Sequence, residues 1–134
     1  MIPGDLVSDG TNYSHWTDHF FEPSKNLFSE VPVYPVLGNH EKNTTYYFKY
    51  FSLPENGTPA YAEHWWYKDY GNVRIIGLDS NDGFRNIQKQ YDWLQEVLND
   101  AERMRISILS SPNCTIRINR NYGFPEKKNP PVRW

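Results

Sequence analysis

The run Pro32-Val33-Tyr34-Pro35-Val36-Leu37-Gly38-Asn39-His40-Glu41 decides how this chain folds. Val36-Leu37 runs into a glycine, which predicts a buried strand that stops at a turn. Pro32 and Pro35 keep the start of that strand out of a central ladder, because proline has no N–H to donate. Upstream, Gly4-Asp5 has the same character, a short extended segment ending in glycine and a carboxylate. Between them Trp16, Phe20, Phe21, Leu27 and Phe28 follow a loose helical spacing, broken at Pro23, with Ser14 as the candidate cap of the first turn. Strand, helix and strand in that order predict a βαβ crossover. Both motif turns then fall at the carboxyl ends of parallel strands, where α/β proteins build their sites.

The residue types at those turns point to metal chemistry. Asp5 offers a carboxylate that can bridge two cations, and Asn39 a carboxamide oxygen, a hard ligand without charge. His40 beside it could donate a hydrogen bond or a proton to a leaving ester oxygen. Each residue alone has an ordinary reading as a cap, a turn residue or a structural imidazole. Gly-Asn-His-Glu after an apolar strand, with Gly-Asp upstream, makes the joint functional reading the stronger one. His15 and His19 are four apart and could share a helix face, but no acidic third ligand is fixed beside them, so packing or surface placement is the simpler reading. His64 next to Trp65 and Trp66 reads as packing in the same way.

Residues 43–64 read as an irregular excursion rich in tyrosine and phenylalanine, with Asn56-Gly57 as a turn. A hairpin follows: 65–70, the Gly71-Asn72 turn, and 73–79, whose nearly unbroken apolar character places it inside a sheet. From Asn86 to Ala101, Ile87, Tyr91, Leu94, Leu98 and Ala101 share one face of a predicted helix, and 106–109 reads as the next strand.

Composition narrows the function. The chain has 134 residues, a formal charge of −2 and a pI of about 6.1, so charge gives no case for nucleic acid or an anionic membrane as partner. No apolar run is long enough to span a bilayer, and no leader is visible in the residues given. Cys114 stands alone, which excludes an internal disulfide. Charge is uneven: residues 103–134 carry seven Lys/Arg and one acid, against seven basic and fifteen acidic side chains before them. Hydrophobic patterning decays at the same place. The expected division is therefore 1–109 as an incomplete domain and 110–134 as an irregular, disordered or out-of-family tail, which a shifted reading frame after about Ser110 would also produce.

These pieces resemble the calcineurin-like metallophosphoesterase superfamily, and within it the branch similar to purple acid phosphatases. The likeness rests on Gly4-Asp5-Leu-Val-Ser-Asp-Gly10, on Pro32 to Glu41, on the hairpin ending Leu78-Asp79-Ser80-Asn81, and on Gln90-Tyr91-Asp92-Trp93-Leu94. It implies an α/β fold, part of a four-layer αββα sandwich with mixed sheets. It implies two divalent or mixed-valence metal ions (Mn, Zn or Fe), with Asp5 bridging and Asn39 ligating one. His40 would contact the phosphoryl group of a phosphate-ester substrate, and Glu41 would help to position His40. The reaction implied is hydrolysis of a phosphomonoester or phosphodiester by a metal-bound hydroxide, and secretion or a periplasmic place is implied in the same way.

Departures from the pattern are as specific. Only three residues precede Gly4, where the family carries an Asp-x-His block, and no histidine follows His64, where the family has several. Ser8 stands where purple enzymes have a tyrosine ligand. Weak or absent turnover is expected from this chain alone. The alternative is a non-catalytic, aromatic-rich module that binds a glycan or a peptide.

Overall fold

The computed structural model describes residues 1–81 and 83–110. Its elements in chain order are α1 (Tyr13–His15), a π-helical stretch (Trp16–Phe21), α2 (Glu22–Phe28), α3 (Thr45–Tyr50), β1 (Trp66–Tyr70), β2 (Val73–Gly77), α4 (Gly83–Met104) and β3 (Ser107–Ser110). The result is an α/β fold with a mixed sheet and flanking helices. The irregular tail expected over 110–134 lies, past Ser110, outside the described residues.

The expected hairpin forms, with Tyr70 paired to Val73 across Gly71-Asn72 and Trp66 to Gly77. β2 lies in the middle of the order β1-β2-β3, and β3 runs parallel to it, Val73 opposite Ser107. Its apolar sequence is explained by that central place. α4 is the crossover between the parallel strands and ends where Arg105 turns left-handed (φ 56°) and the Ile106 N–H reaches back to the Ala101 carbonyl.

The first predicted crossover is present in reduced form. Ile2 and Pro35 make one parallel bridge, through Ile2 N–H to the Tyr34 carbonyl (3.1 Å) and Val36 N–H to the Ile2 carbonyl (3.0 Å). Val36 and Leu37 are buried as expected but do not extend that bridge into a ladder. The ladder stops because Gly4 turns left-handed (φ 80°) and the Gly38 N–H, the next donor in line, goes to the Glu41 carboxylate.

Four local expectations are corrected. Pro23 does not break the helix: it follows directly on the π-helical stretch, whose i→i+5 bonding, ending in Glu22 N–H to the Thr17 carbonyl, carries the helix past a residue that cannot donate. The cap is Asn12, whose side chain accepts from Ser14 N–H (3.1 Å), with Ser14 as recipient. Within 43–64, Thr45–Tyr50 is helical because Tyr47 points inward while Lys49 stays exposed. The predicted helix from Asn86 to Ala101 also extends at both ends, to Gly83–Met104.

Two cores flank the hairpin. One gathers Leu6, Val7, Trp16, Phe20, Val36, Leu37, Tyr47, Leu53 and Trp66 beneath the motif turns. The other packs Trp65, Ile76 and Leu78 against Trp93, Leu94 and Val97 of α4. Neighbouring Trp65 and Trp66 thus serve opposite cores, as alternation along an extended chain requires. His64 packs its ring against Phe48 at 4.9 Å.

Candidate functional site

The two motif turns meet, and Glu41 is what joins them. Its carboxylate is fully buried and takes N–H donors from both turns: Asp5 (2.9 Å) and Gly38 (2.6 Å) on one oxygen, Leu6 (2.6 Å) and Val7 (3.4 Å) on the other. Successive backbone N–H groups curled around one anion form a nest, here filled by the chain's own side chain. Curling that tightly needs unusual backbone. Gly4 (φ 80°) and Asp5 (φ 54°) are both left-handed, a conformation open to glycine and tolerated by aspartate. Gly38 is required by close approach, since a Cβ there would overlap the Asp5 backbone and both carboxylates.

Asp5 and His40 are thereby brought into contact. The Asp5 Oδ1 accepts the His40 backbone N–H at 3.1 Å. The His40 Nδ1 lies 3.0 Å from the Ser8 carbonyl, which can only accept, so Nδ1 carries a proton and Nε2 is the nitrogen left for a second proton or a ligand. Asp5, Asn39 and His40 share one exposed corner, with Glu41 beneath it. Glu41 and His40 are linked through Asp5, whose N–H goes to Glu41 and whose side chain accepts the His40 backbone N–H.

The surrounding loop is fastened to this corner. Gly10 N–H donates to the His40 carbonyl at 2.8 Å, and the Gly10 carbonyl accepts from both the Trp16 indole and the Thr44 hydroxyl at 3.0 Å. Asp9 is held well below the usual carboxylate range by its bond to Lys42 (2.8 Å), with Thr11 adding to the effect. Below the corner, burial pushes the Tyr47 phenol up, and the charges of Glu41, Glu63 and Asp79 push it further. Its hydroxyl donates to the Pro35 carbonyl at 3.0 Å.

One contributor was visible in the sequence only as a strand end. The Asn81 amide donates to the Leu37 carbonyl (3.1 Å) and to Asp79 (3.0 Å), tying the end of β2 to the Gly38 turn. Its signal was a polar pair just past an apolar strand, the same pattern that marked Asp5 and Asn39.

As a donor set, the corner offers the Asp5 carboxylate and the Asn39 carboxamide, hard oxygens that suit one corner of a divalent-metal centre. Among the described residues no group of three or more His, Cys, Asp and Glu side chains is placed to hold a metal ion. Among those residues, also, no helix is long and apolar enough to cross a membrane.

Comparison with known proteins gives a consistent result. A family model described as calcineurin-like phosphoesterase matches residues 1–125. Over 114 residues the chain is 29% identical to a protein named "Probable inactive purple acid phosphatase 24" of Arabidopsis thaliana, a match covering 75% of this chain and 18% of that protein. It is 27% identical over 116 residues to "Probable inactive purple acid phosphatase 1" of the same plant, covering 76% and 19%. The chain thus spans about a fifth of the length of these curated relatives. No solved structure matches.

Proposed function

Because the chain belongs to the calcineurin-like phosphoesterase family, in its purple acid phosphatase-like branch, we propose that it is a non-hydrolytic member that binds an extended peptide along the open edge of β1. The observation that carries this reading is the cleft beside that edge. It has a volume of about 430 Å³ and is lined by Tyr34, Leu53 and Pro54 on one side and by Tyr67, Lys68 and Asp69 of β1 on the other. Asn56 already imitates a neighbouring strand there: its amide donates to the Tyr67 carbonyl (2.8 Å) and accepts the Tyr67 N–H (3.0 Å). Strand alternation turns the Asp69 backbone to the same edge two residues on, so a peptide can continue the pairing that Asn56 begins.

Two facts support the non-hydrolytic half of the proposal. The relatives are themselves named probable inactive. In addition, the metal-capable groups at the corner, among the described residues, stop at a partial set.

The test is a selection of random peptides on the purified chain, beside an assay with a chromogenic phosphate ester and Mn²⁺, Zn²⁺ or Fe³⁺. Selected peptides should bind at least tenfold more weakly to Tyr34→Ala, and ester turnover should not rise above that of Asp5→Ala. Robust turnover lost in Asp5→Ala would overturn the proposal, as would binding to glycans and to no peptide.

The contact between Asp5 and His40 favours a second reading for any longer protein that contains this chain. There Asp5 and Asn39 would hold part of a two-metal centre, whose ions neutralise charge on phosphoryl oxygens when bound. His40 Nε2 would face the phosphate ester, and Glu41 would keep the turn in place.

A further inference from the structure

The helical run after Gly10 is not uniform, and its irregular part sets two imidazoles together. His15 caps the π-helical stretch Trp16–Phe21 and His19 lies within it, so the two rings leave neighbouring turns on one side of the run. His15 and His19 accordingly stack, with ring centres 4.4 Å apart and planes at 29°. The His19 Nδ1 lies 2.9 Å from the Ser8 hydroxyl. The His15 Nδ1 is buried and has no hydrogen-bond partner among the described residues. A buried ring nitrogen without a partner is uncommon and calls for an explanation.

We infer that His15 and His19 form a two-imidazole site for a borderline divalent transition-metal ion, copper(II) or zinc(II), distinct from the Asp5–Asn39 corner. Imidazole nitrogen is a favoured donor to both ions, and copper(II) stands highest among the divalent first-row metals. Two imidazoles bound side by side on one cation, each nitrogen about 2.0–2.1 Å from it, have ring centres roughly 4.5–5 Å apart. The observed separation, 4.4 Å, is close to that, and the ring planes, now 29° apart, must turn for both lone pairs to converge on one ion. His15 Nδ1 supplies one donor, and coordination gives the orphaned nitrogen its missing partner. His19 supplies Nε2, while its Nδ1–H donates to Ser8 Oγ; that bond fixes the tautomer and raises the basicity of the ligating nitrogen. Water completes the coordination, since no third His, Cys, Asp or Glu joins the pair among the described residues.

The experiment uses the full, untagged, metal-free chain. Calorimetric titration with Cu²⁺ should show one site, and electron paramagnetic resonance should show splitting from two imidazole nitrogens. His19→Ala, at an exposed position, should weaken binding at least tenfold and leave one nitrogen in the spectrum. His15→Phe keeps a ring in the stack and should do the same. Ser8→Ala should weaken binding about tenfold, within the usual range for removing a ligand's hydrogen-bond partner. Asp5→Asn should leave the two-nitrogen splitting in place. The inference fails if His19→Ala, folded by circular dichroism, binds Cu²⁺ as the parent does, or if Asp5→Asn removes the site. It also fails if Cu²⁺ and Zn²⁺ both leave the parent chain unbound.

Discussion

Among the described residues Glu41 and Arg74 are the two most completely buried charges, 0% and 2% exposed, yet they are neutralised in opposite ways. Glu41 is surrounded by main-chain N–H groups from two distant turns. Arg74 is surrounded by side chains and one carbonyl: Asp69 takes it in a two-pronged grip (2.7 and 2.8 Å), Asp100 and the Val97 carbonyl each accept at 3.0 Å, and its guanidinium lies 4.1 Å over the Tyr67 ring. Backbone donors neither titrate nor mutate away, and they satisfy Glu41 only while Gly4 and Asp5 stay left-handed. The partners of Arg74 are titratable and about a third exposed. One charge therefore dictates a local conformation, and the other fastens α4 to the hairpin.

That contrast sets the order of mutational effects. Glu41→Ala leaves four N–H donors without their acceptor, three of them on one curled turn. Each unsatisfied buried donor costs about 1–3 kcal/mol, with partial relief from entering water, so a loss of about 3–5 kcal/mol is expected. Against a total stability of roughly 5–15 kcal/mol, that unfolds much of the population, and urea titration followed by tryptophan fluorescence measures it. Arg74→Met should cost less, about 1–3 kcal/mol, because the aspartates it strands can reach water and methionine still packs on Tyr67. If Arg74→Met proves the more damaging, the corner is not the conformational keystone of the fold.

The same contrast explains what the sequence disclosed. Asp5, Asn39 and His40 were legible as a cluster because their residue types and strand-end positions are local signals. The bond network of Glu41 was not, since it depends on two turns 36 residues apart meeting at hydrogen-bond distance. The hairpin and the β2 centre could be read from a two-residue turn and an apolar run. Pro23 misled because its effect depends on the bonding pattern of the turn before it, and no residue near it announced a π-helical segment ending at Phe21. In the sequence His15 and His19 offer only a four-residue spacing without an acidic third ligand, and the stacked rings and the orphaned nitrogen give the pair its physical case.

Acid separates the two charges again. Asp69 is held below its ordinary range, first by its bond to Arg74. A depressed carboxylate contributes stability that is present above the unfolded value, about 3.9, and is lost as pH falls through the lower folded value. The parent chain should therefore lose stability more steeply below about pH 4 than Arg74→Met does, in urea midpoints taken at successive pH values. Equal slopes would mean that the Asp69–Arg74 pair contributes nothing to the native state.

The smallest effect belongs to Lys42. Its bond to Asp9 is short (2.8 Å) and depresses Asp9 strongly, which alone would suggest an important tie between the Asp9 loop and the corner. Water decides otherwise, because the Lys42 side chain is half exposed and an exposed pair loses in screening and side-chain entropy most of what it gains by attraction. The loop is held by better-buried bonds, above all the Trp16 indole to the Gly10 carbonyl. Lys42→Ala should leave the thermal midpoint at low and at high salt unchanged within error. A clear drop that disappears in 1 M salt would show that the corner, like Arg74, relies on side-chain charge after all.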